Sequence, residues 1–280
     1  MWLYGKDLSL ARREILRDRI SYLKKVPKLA IFLVGNNPSS EIYVGIKSKF
    51  AEKIGAETEI IKLAENISEE ELIKKISEKG ANENVTGMIV QLPLPAHIDF
   101  HKIVVAVPKE KDADGLHPDN YAKLENGEEY IVAPATALGV KILLENYGIQ
   151  FKDKKVCVIG RSYLVGRPIA LIAAHEGAEV TVCHRQTENI PEKTQNADIV
   201  IVATGQPHFF GAKYFKAGQI VIDVGITKKN DQIYGDVAPE VENIVEGISP
   251  VPGGVGPMTV VCLFENLVRL AISQESRLGL

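Results

Sequence analysis

Short apolar runs alternate with amphipathic, charge-rich stretches along most of the chain. In the first half, the runs "KLAIFLVG", "ETEIIKL" and "TGMIVQLPLP" predict strands, and helices are predicted around residues 39–55 and 68–79. Strands that are apolar on both faces are typical of a parallel sheet, because helices cover both sides of it. The pattern therefore predicts a βαβαβ unit in the first half of the chain.

A second unit of the same kind follows "PATALGVKILLENYG", which predicts a helix that stops at Gly148. The runs "KKVCVIG", "AEVTVCH", "ADIVIVATG" and "GQIVIDVG" predict four further strands, and "VVCLFENLVRLAISQE" predicts a last helix. Two α/β domains suit a chain of 280 residues better than one. The fold class predicted is thus α/β with two domains.

Charge and apolar content indicate which kinds of molecule the protein binds and where it is located. The chain carries 33 basic and 36 acidic residues, and a net charge of -3 argues against a general attraction to nucleic acid or anionic membranes. The first twenty residues lack the apolar core of a signal peptide and no apolar run is of membrane-spanning length, which predicts a cytoplasmic protein. Cys157, Cys183 and Cys262 lie far apart in apolar surroundings and are interpreted as core thiols.

The stretch "KKVCVIGRSYLVGRPIALIAAHEGAEVTVCHR" has the layout of a dinucleotide-binding βαβ unit, with a strand, a glycine turn, a helix and a second strand. Gly160 opens the turn, and Gly166 allows close packing of helix and strand. Arg161 and Ser162 stand where a further glycine usually lets pyrophosphate approach the backbone. The glycine pattern alone is therefore a weak signal.

The end of the second strand indicates which cofactor binds. An unphosphorylated cofactor requires an acidic group there to hold the ribose hydroxyls, whereas this chain has His184 and Arg185. A guanidinium suits a 2′-phosphate, so we expect NADP rather than NAD, with Arg161 as a second contact. The alternative is a surface arginine at a strand end. The predicted cofactor-binding residues are Gly160, Arg161, Ser162, Val165, Gly166, His184, Arg185, Thr204, Gly205, Gly225 and Ile226.

Four polar side chains of the first unit are candidates for a catalytic site, because ligands of an open parallel sheet bind beyond the carboxyl ends of its strands. Tyr43 and Lys47 follow the first strand, one turn apart on a predicted helix. Gln91 ends the third strand, and Asp114 lies in the loop "EKDADGLHP". Each also has a purely structural interpretation. Lys47 could be a solvated lysine beside a half-buried tyrosine, Gln91 could cap a strand edge, and Asp114 could form a turn. Their convergence on one cleft is the prediction.

A glycine-rich stretch, "SPVPGGVGPMT", precedes the final helix. Glycines there allow the backbone to approach a flat ligand, although a structural turn is an alternative. Leu92, Pro252, Gly253 and Gly254 complete the predicted substrate-binding residues. We expect no metal site, because "DADG" lacks the further oxygen ligands and the distal glutamate of a calcium loop.

Five motifs in order, "SSEIYVGIKSK", "VQLPLP", "KDADGLHPDN", "GRSYLVGRP" and "SPVPGGVGPMT", resemble those of the bifunctional methylenetetrahydrofolate dehydrogenase/cyclohydrolase family. The resemblance covers nearly the whole chain. It implies a folate-binding catalytic domain of residues 1–131 plus 257–280, with a C-terminal helix that returns to it. It also implies a Rossmann-type NADP-binding domain of residues 132–256, and a homodimer.

The same resemblance implies roles for the four polar residues. Lys47 would be the catalytic lysine, Tyr43 its neighbour over the pterin, Gln91 its hydrogen-bond partner and Asp114 the pterin anchor. The chain departs from the family pattern with "PATA" at residues 134–137 in place of "PCTP", with Ser249 in place of threonine and with Ala122 in place of glycine.

The implied chemistry has two steps. NADP would oxidise 5,10-methylenetetrahydrofolate to the methenyl cation, which water would then hydrolyse to 10-formyltetrahydrofolate. Lys47 fits the role of proton acceptor if burial and a cationic substrate lower its pKa. The alternatives are a dehydrogenase-only folate enzyme, another two-domain NADP-dependent dehydrogenase of the shikimate type, and a nucleotide-sensing protein without turnover.

Overall fold

The computed structural model describes residues 1–230, 232–277 and 279. Its α-helices are α1 Lys6–Ser21, α2 Pro38–Ile54, α3 Glu69–Gly80, α4 Phe100–Ala106, α5 Pro118–Glu125, α6 Ala135–Asn146, α7 Gly166–His175, α8 Ile190–Gln195 and α9 Val255–Arg277. Its strands are β1 Lys28–Val34, β2 Glu57–Leu63, β3 Gly87–Val90, β4 Lys155–Ile159, β5 Glu179–Cys183, β6 Ile199–Val202, β7 Ile220–Asp223, β8 Thr227–Lys229, β9 Gln232–Tyr234 and β10 Gly247–Ile248. Short 3₁₀ helices lie at Lys109–Lys111, Ala212–Tyr214 and Pro239–Asn243.

The chain folds into two compact units. Residues 11–135 and 263–280 form one, here named the N-terminal unit, and residues 1–10 and 136–262 form the other, the central unit. The first residues belong to the central unit, where Leu3 and Gly5 donate backbone hydrogen bonds to Ile248 and Gly253. The predicted return of the C-terminal helix is confirmed, because the second half of α9 belongs to the N-terminal unit.

The N-terminal unit is built on a parallel sheet with the strand order β2-β1-β3. Lys28 pairs with Glu57 on one side of β1, and Leu29 pairs with Gly87 on the other. The βαβαβ prediction is therefore confirmed. The third strand is shorter than predicted: it ends at Val90, before the two prolines of "QLPLP", which lack the N–H that a ladder requires. A core that includes Phe32, Leu72, Ile76, Met88 and Ile103 holds helices against the sheet.

Helix α2 begins within one residue of the predicted start, and Asn37 caps it. The Asn37 side chain accepts hydrogen bonds from the backbone N–H groups of Ser39 and Ser40, at 3.0 and 3.2 Å. Pro38 occupies the first turn, where a missing N–H costs nothing. The helix ends at Gly55, whose φ of 79° is left-handed. Both ends of the element that carries Tyr43 and Lys47 are thus fixed by local chemistry.

The central unit is built on a parallel sheet with the strand order β10-β7-β6-β4-β5. The four predicted strands are confirmed as β4 to β7, and the predicted helix after residue 134 is α6, followed by Gly148 at φ 72°. The short strand β10 and the antiparallel hairpin of β8 and β9 are additional, because two- and three-residue strands are too short to show a period. The three cysteines are buried thiols, as interpreted, and the sulfur atoms of Cys157 and Cys183 lie 3.7 Å apart.

Helix α9 is the longest of the described helices, with 23 residues. By length and composition it could cross a membrane, which the sequence analysis did not foresee. However, 72% of its most apolar 18-residue segment is buried in the protein, which is typical of a core helix. In the N-terminal unit the ring of Phe264 stacks on Phe50 of α2 with 5.2 Å between centroids. This contact helps to hold α2 against the final helix.

Candidate active site

A hydrogen-bonded chain connects α2 with the segment that follows β3. The Lys47 amine donates to Gln91 Oε1 at 2.9 Å, and Gln91 Nε2 donates to the Leu92 carbonyl at 2.8 Å. Ser40 Oγ also donates to this carbonyl, at 3.2 Å. Because the Gln91 nitrogen is engaged by Leu92, its oxygen faces the amine. The amide therefore holds Lys47 in one orientation, and the structure brings together three residues that the sequence proposed separately.

Lys47 and Asp114 influence each other electrostatically. Burial lowers the pKa of the Lys47 amine, and the negative charge of Asp114 partly opposes that shift. Burial also raises the pKa of Asp114 to about 6, while Lys47 acts in the opposite direction and Asp112 adds a small upward effect. Both side chains are only partly exposed. The site thus contains an amine that loses its proton more readily than a solvated lysine does, beside a carboxyl group that titrates close to neutral pH.

Tyr43 lies on the face of α2 that carries Lys47, one turn before it, and is half-buried. Burial raises the pKa of its phenol, so the ring stays neutral at physiological pH. A neutral phenol is a poor proton acceptor but offers a flat apolar face and a hydroxyl. Of the pair on this helix, Lys47 is the better base and Tyr43 is suited to stacking or orienting.

The loop that carries Asp114 is held by two residues that the sequence analysis did not select. The Asp112 carboxylate accepts hydrogen bonds from the backbone N–H groups of Leu116 and His117 at 3.0 and 2.8 Å, and from the Asn120 side chain at 2.9 Å. Asn266 of α9 donates to the carbonyls of Ala113 and Ala133, at 2.9 and 2.8 Å. "KDAD" shows Asp112 as a possible loop carboxylate, but no local signal indicates Asn266.

Gly115 allows this loop to pass close to another segment of the unit. Its φ is 72°, and a Cβ at this position would lie 2.3 Å from the carbonyl carbon of Ala133. A side chain therefore meets both backbone strain and a backbone clash. The turn alternative for Asp114 before Gly115 is thus correct in part: the residue lies in a turn, and that turn places its carboxylate near Lys47.

In the central unit, glycines after β4 bring the chain back on itself. Gly160 has φ 121°, and a Cβ there would lie 2.2 Å from the Ala203 carbonyl oxygen. A Cβ on Gly166 would lie 2.1 Å from the Gly160 carbonyl oxygen. Ser162 Oγ accepts hydrogen bonds from the N–H groups of Val165 and Gly166, at 3.2 and 3.4 Å, at the start of α7. The strand, tight turn and helix N-terminus of a dinucleotide site are therefore present, despite the irregular glycine pattern.

The end of β5 provides the cations of the predicted cofactor site. The Gly160 N–H donates to the Cys183 carbonyl at 2.9 Å, which joins the turn after β4 to the end of β5. His184 begins a tight turn, in which its N–H donates to Thr187 Oγ1 at 2.9 Å. Arg185 and Arg161 are exposed. Two solvated guanidinium groups beside this turn suit phosphate oxygens, so the donor set fits a phosphorylated dinucleotide.

The remaining cofactor candidates lie after β6 and β7. The Thr204 and Gly205 N–H groups donate to one carboxylate oxygen of Asp236, at 2.6 and 2.9 Å. The Gly225 N–H donates to Asp223 Oδ1 at 2.9 Å, and Ile226 is exposed. Both loops lie at the carboxyl ends of neighbouring parallel strands, as predicted for ligand-binding segments of such a sheet.

Pro252, Gly253 and Gly254 belong to the central unit, where they form a turn against the N-terminal residues. The Gly254 N–H donates to the Pro250 carbonyl, and the Gly5 N–H donates to the Gly253 carbonyl, both at 2.8 Å. A Cβ on Gly5 would lie 2.1 Å from the Gly254 carbonyl oxygen. The packing of this turn thus explains the small residues, and the role of the turn in substrate binding stays a prediction.

The departures from the family pattern fit the structure. Ser249 Oγ accepts from the Asp223 N–H at 2.8 Å, a hydrogen bond that needs only a hydroxyl. Ala122 lies inside α5, where alanine is the best helix former. Helix α6 begins at Ala135, directly after Pro134, and Ala137 is buried.

Comparison with known families gives two matches. Residues 3–114 match the family model described as the tetrahydrofolate dehydrogenase/cyclohydrolase catalytic domain. Residues 134–275 match the NAD(P)-binding domain of the same family. Among curated proteins, the bifunctional protein FolD of Aquifex aeolicus is 44% identical over 272 residues, covering 95% of this chain and 94% of that protein.

Solved structures give the same result. The bifunctional methylenetetrahydrofolate dehydrogenase/cyclohydrolase of Campylobacter jejuni superposes with a TM-score of 0.94 at 40% identity, covering 98% of this chain and 99% of that one. The Trypanosoma brucei dehydrogenase-cyclohydrolase, complexed with NADP and an inhibitor, has a TM-score of 0.93 at 32% identity and covers 98% of both chains.

Proposed function

Since the chain belongs to the tetrahydrofolate dehydrogenase/cyclohydrolase family, we propose that Lys47, held by Gln91 and flanked by Asp114, is its catalytic centre. The protein is a bifunctional enzyme that oxidises 5,10-methylenetetrahydrofolate with NADP and hydrolyses the methenyl product to 10-formyltetrahydrofolate. The main support for this assignment is the hydrogen bond of 2.9 Å from the Lys47 amine to Gln91. Burial lowers the pKa of the same amine, which suits it to accept a proton.

The N-terminal unit binds the folate. Asp114, when ionised, accepts two hydrogen bonds from the amino-pyrimidine edge of the pterin. Tyr43 stacks on the ligand or orients Lys47, and Leu92 and Gln91 border the same cleft. We include Pro252, Gly253 and Gly254 among the substrate-binding residues, because glycines let a backbone approach a flat ring.

The central unit binds NADP, with the turn of Gly160, Ser162, Val165 and Gly166 at the pyrophosphate. Arg185, with Arg161 and His184, contacts the 2′-phosphate, and the loops of Thr204, Gly205, Gly225 and Ile226 contact the rest of the cofactor. When bound, NADP supplies the acceptor for the hydride that leaves the methylene carbon of the substrate. Orientation of the two reactants, rather than acid-base help, is what the protein provides for this step.

Lys47 acts in the hydrolysis. The oxygen of water forms a bond to the methenyl carbon, and the neutral Lys47 amine accepts the proton that water loses. The protonated amine then returns a proton to the ring nitrogen as the bond between that nitrogen and the carbon breaks. The hydroxyl left on the carbon releases its proton to solvent as the C=O bond forms, which leaves the formyl group on N10. Gln91 keeps the amine in place through both transfers. The cationic substrate further favours the neutral amine, since like charges repel.

We also propose that the enzyme works as a homodimer in the cytoplasm. Light scattering coupled to size-exclusion chromatography should give about twice the chain mass of 30.7 kDa. A mass equal to that of one chain at micromolar concentration would contradict the dimer.

The proposed function is tested by a coupled spectroscopic assay that follows NADPH and the methenyl intermediate together. We expect NADPH to form with 5,10-methylenetetrahydrofolate and NADP, while the methenyl signal rises and then decays to 10-formyltetrahydrofolate. Methenyl product that accumulates in step with NADPH and does not decay faster than in buffer would indicate a dehydrogenase alone. Binding of both ligands without any absorbance change would indicate a nucleotide-sensing protein.

A further inference from the structure

Two buried carboxylates lie under the loops to which we assign NADP. Asp236 follows the β8–β9 hairpin and is 0% exposed, and Asp223 ends β7 and is 4% exposed. Charged groups at this depth are costly unless hydrogen bonds compensate for lost water. Neither residue has a part in the chemistry proposed above, so their burial requires another reason.

Asp236 holds the loop after β6 through one oxygen. Its Oδ2 accepts hydrogen bonds from the Thr204 N–H at 2.6 Å, from the Thr204 hydroxyl at 3.0 Å and from the Gly205 N–H at 2.9 Å. Gly205 has φ 70°, and among the described residues no atom outside its two chain neighbours lies within 4 Å of where its Cβ would be. The inward face of this turn is therefore fixed by Asp236, while its outward face is open.

Asp223 in turn holds the segment that carries Asp236. Asp223 Oδ1 accepts from the N–H groups of Asp236 and Gly225, at 3.0 and 2.9 Å, and Asp223 Oδ2 accepts from the Val237 N–H at 2.9 Å. A Cβ on Gly225 would lie 2.3 Å from Asp236 Oδ1, so this glycine is required for the approach. Asp223 thus joins the loop after β7 to the same network.

The second oxygen of Asp236 has no hydrogen-bond partner in the part of the chain that the structure describes, although it is buried. A buried carboxylate oxygen without a donor lowers stability, because it has lost its hydrogen bonds to water and gained none in return. Burial also raises the pKa of Asp223 to about 7, and the nearby charge of Asp236 adds to that shift. Both facts indicate an arrangement that is not optimal for stability alone, which is typical of functional sites.

We propose that Asp236 is a positioning residue for NADP: it holds the Thr204–Gly205 turn in the conformation that receives the cofactor, and Asp223 holds Asp236. This inference rests on the proposed placement of NADP at the loops after β6 and β7. It adds two buried residues, which are not among the proposed ligand contacts, to the residues that determine cofactor affinity.

The test uses the full chain with Asp236→Ala and Asp236→Asn, and Tyr234→Phe as the matched control on the same hairpin. Equilibrium dialysis measures NADP binding, and amide hydrogen exchange of the cofactor-free protein follows Thr204 and Gly205. For Asp236→Ala we expect NADP binding to weaken about tenfold or more and both amides to exchange at least tenfold faster. Both effects are expected because the variant loses the charge-assisted hydrogen bonds of the carboxylate. Tyr234→Phe, which loses only a hydroxyl contact with Gln232, should match the wild type.

Asp236→Asn provides the rescue, because its amide oxygen can still accept from both N–H groups and its nitrogen can occupy the unpartnered position. We expect an affinity and exchange rates between those of the wild type and Asp236→Ala. Far-UV circular dichroism reports on the folding of each variant. Methenyl hydrolysis without NADP, which we assign to the N-terminal unit, should stay within about twofold of the wild type. If Asp236→Ala does not fold, the test rests on Asp236→Asn. An NADP affinity and amide exchange rates identical to those of the wild type would then overturn the inference.

A further variant, Arg185→Ser, separates this inference from the cofactor site itself. If Arg185→Ser weakens NADP binding while Asp236→Ala leaves it unchanged, the positioning role is wrong and the cofactor site stands. If neither variant alters NADP binding, both the positioning role and the proposed cofactor site are wrong. Weakened binding in Asp236→Ala with unchanged amide exchange would also contradict the inference, since the carboxylate would then act without holding the turn.

Discussion

At the scale of single residues, the proposed catalytic centre depends on how burial changes the pKa of ordinary side chains. A solvated lysine is almost fully protonated at neutral pH, whereas the surroundings of Lys47 lower its pKa and Gln91 fixes its direction. The same removal from water brings Asp114 to a pKa of about 6. The amine thereby loses its proton more readily than a solvated lysine, and the carboxyl group titrates near the pH at which the reaction proceeds.

The titration of Asp114 predicts a pH dependence of folate binding. Because the carboxylate form accepts the hydrogen bonds of the pterin, the KM for 5,10-methylenetetrahydrofolate should rise as pH falls through about 6, by up to tenfold per pH unit. Asp114→Asn should raise the KM about 10- to 100-fold and remove this dependence. Asp119 is an exposed carboxylate five residues later, so Asp119→Asn is the control and should leave the KM unchanged. A KM that is constant from pH 5 to 8 in the wild type would argue against Asp114 as the pterin anchor.

Cofactor preference is a second residue-scale prediction. Arg185→Ser should weaken NADP binding by about 1.5–3 kcal/mol, the value of charge-assisted hydrogen bonds, and leave NAD binding almost unchanged. Dissociation constants for both nucleotides measure this difference. Lys216→Ser, which removes an exposed cation from the same unit, should affect neither. Equal losses for NADP and NAD in Arg185→Ser would mean that the arginine does not read the 2′-phosphate.

At the scale of elements, glycine conformation fixes the active-site loop. Gly115 and Gly55 both have left-handed φ, of 72° and 79°, but only at Gly115 would a Cβ meet backbone atoms at 2.3 Å. We therefore expect Gly55→Ala to lower the free energy of unfolding by about 1–2 kcal/mol, the cost of left-handed alanine. Gly115→Ala should cost clearly more and should also weaken folate binding, because the loop with Asp114 must move. Chemical denaturation and folate titration measure both effects, and equal stability of the two variants would contradict the clash.

The elements with a clear hydrophobic period could be predicted from sequence, and those without one could not. Strands such as "KLAIFLV" and amphipathic helices such as α3 bury one face or both, so their pattern is local. The residues of the candidate site likewise fall into those that could be predicted from the sequence and those that could not. Tyr43, Lys47, Gln91 and Asp114 follow from the rule for strand ends. Asn266 could not be found, because its hydrogen bonds to Ala113 and Ala133 join segments 153 and 133 residues apart.

At the scale of the whole molecule, one chain divides its chemistry between two compact units. The unit of residues 11–135 and 263–280 contains Lys47 and Asp114, and the unit of residues 1–10 and 136–262 contains the nucleotide loops. By the assignment proposed above, hydrolysis requires only the proton transfers of the first unit, whereas oxidation requires NADP as well. The two activities should therefore respond differently to a change in either unit.

Lys47→Met, assayed separately for the two steps, tests the central claim most directly, with Lys49→Met as the matched control from an exposed position on the same helix. Methionine preserves the length of the side chain but can neither accept nor donate the proton. We predict that Lys47→Met loses hydrolysis of the methenyl substrate about a hundredfold or more and keeps measurable NADP-dependent oxidation, while Lys49→Met keeps both. Full hydrolysis in Lys47→Met would contradict the account.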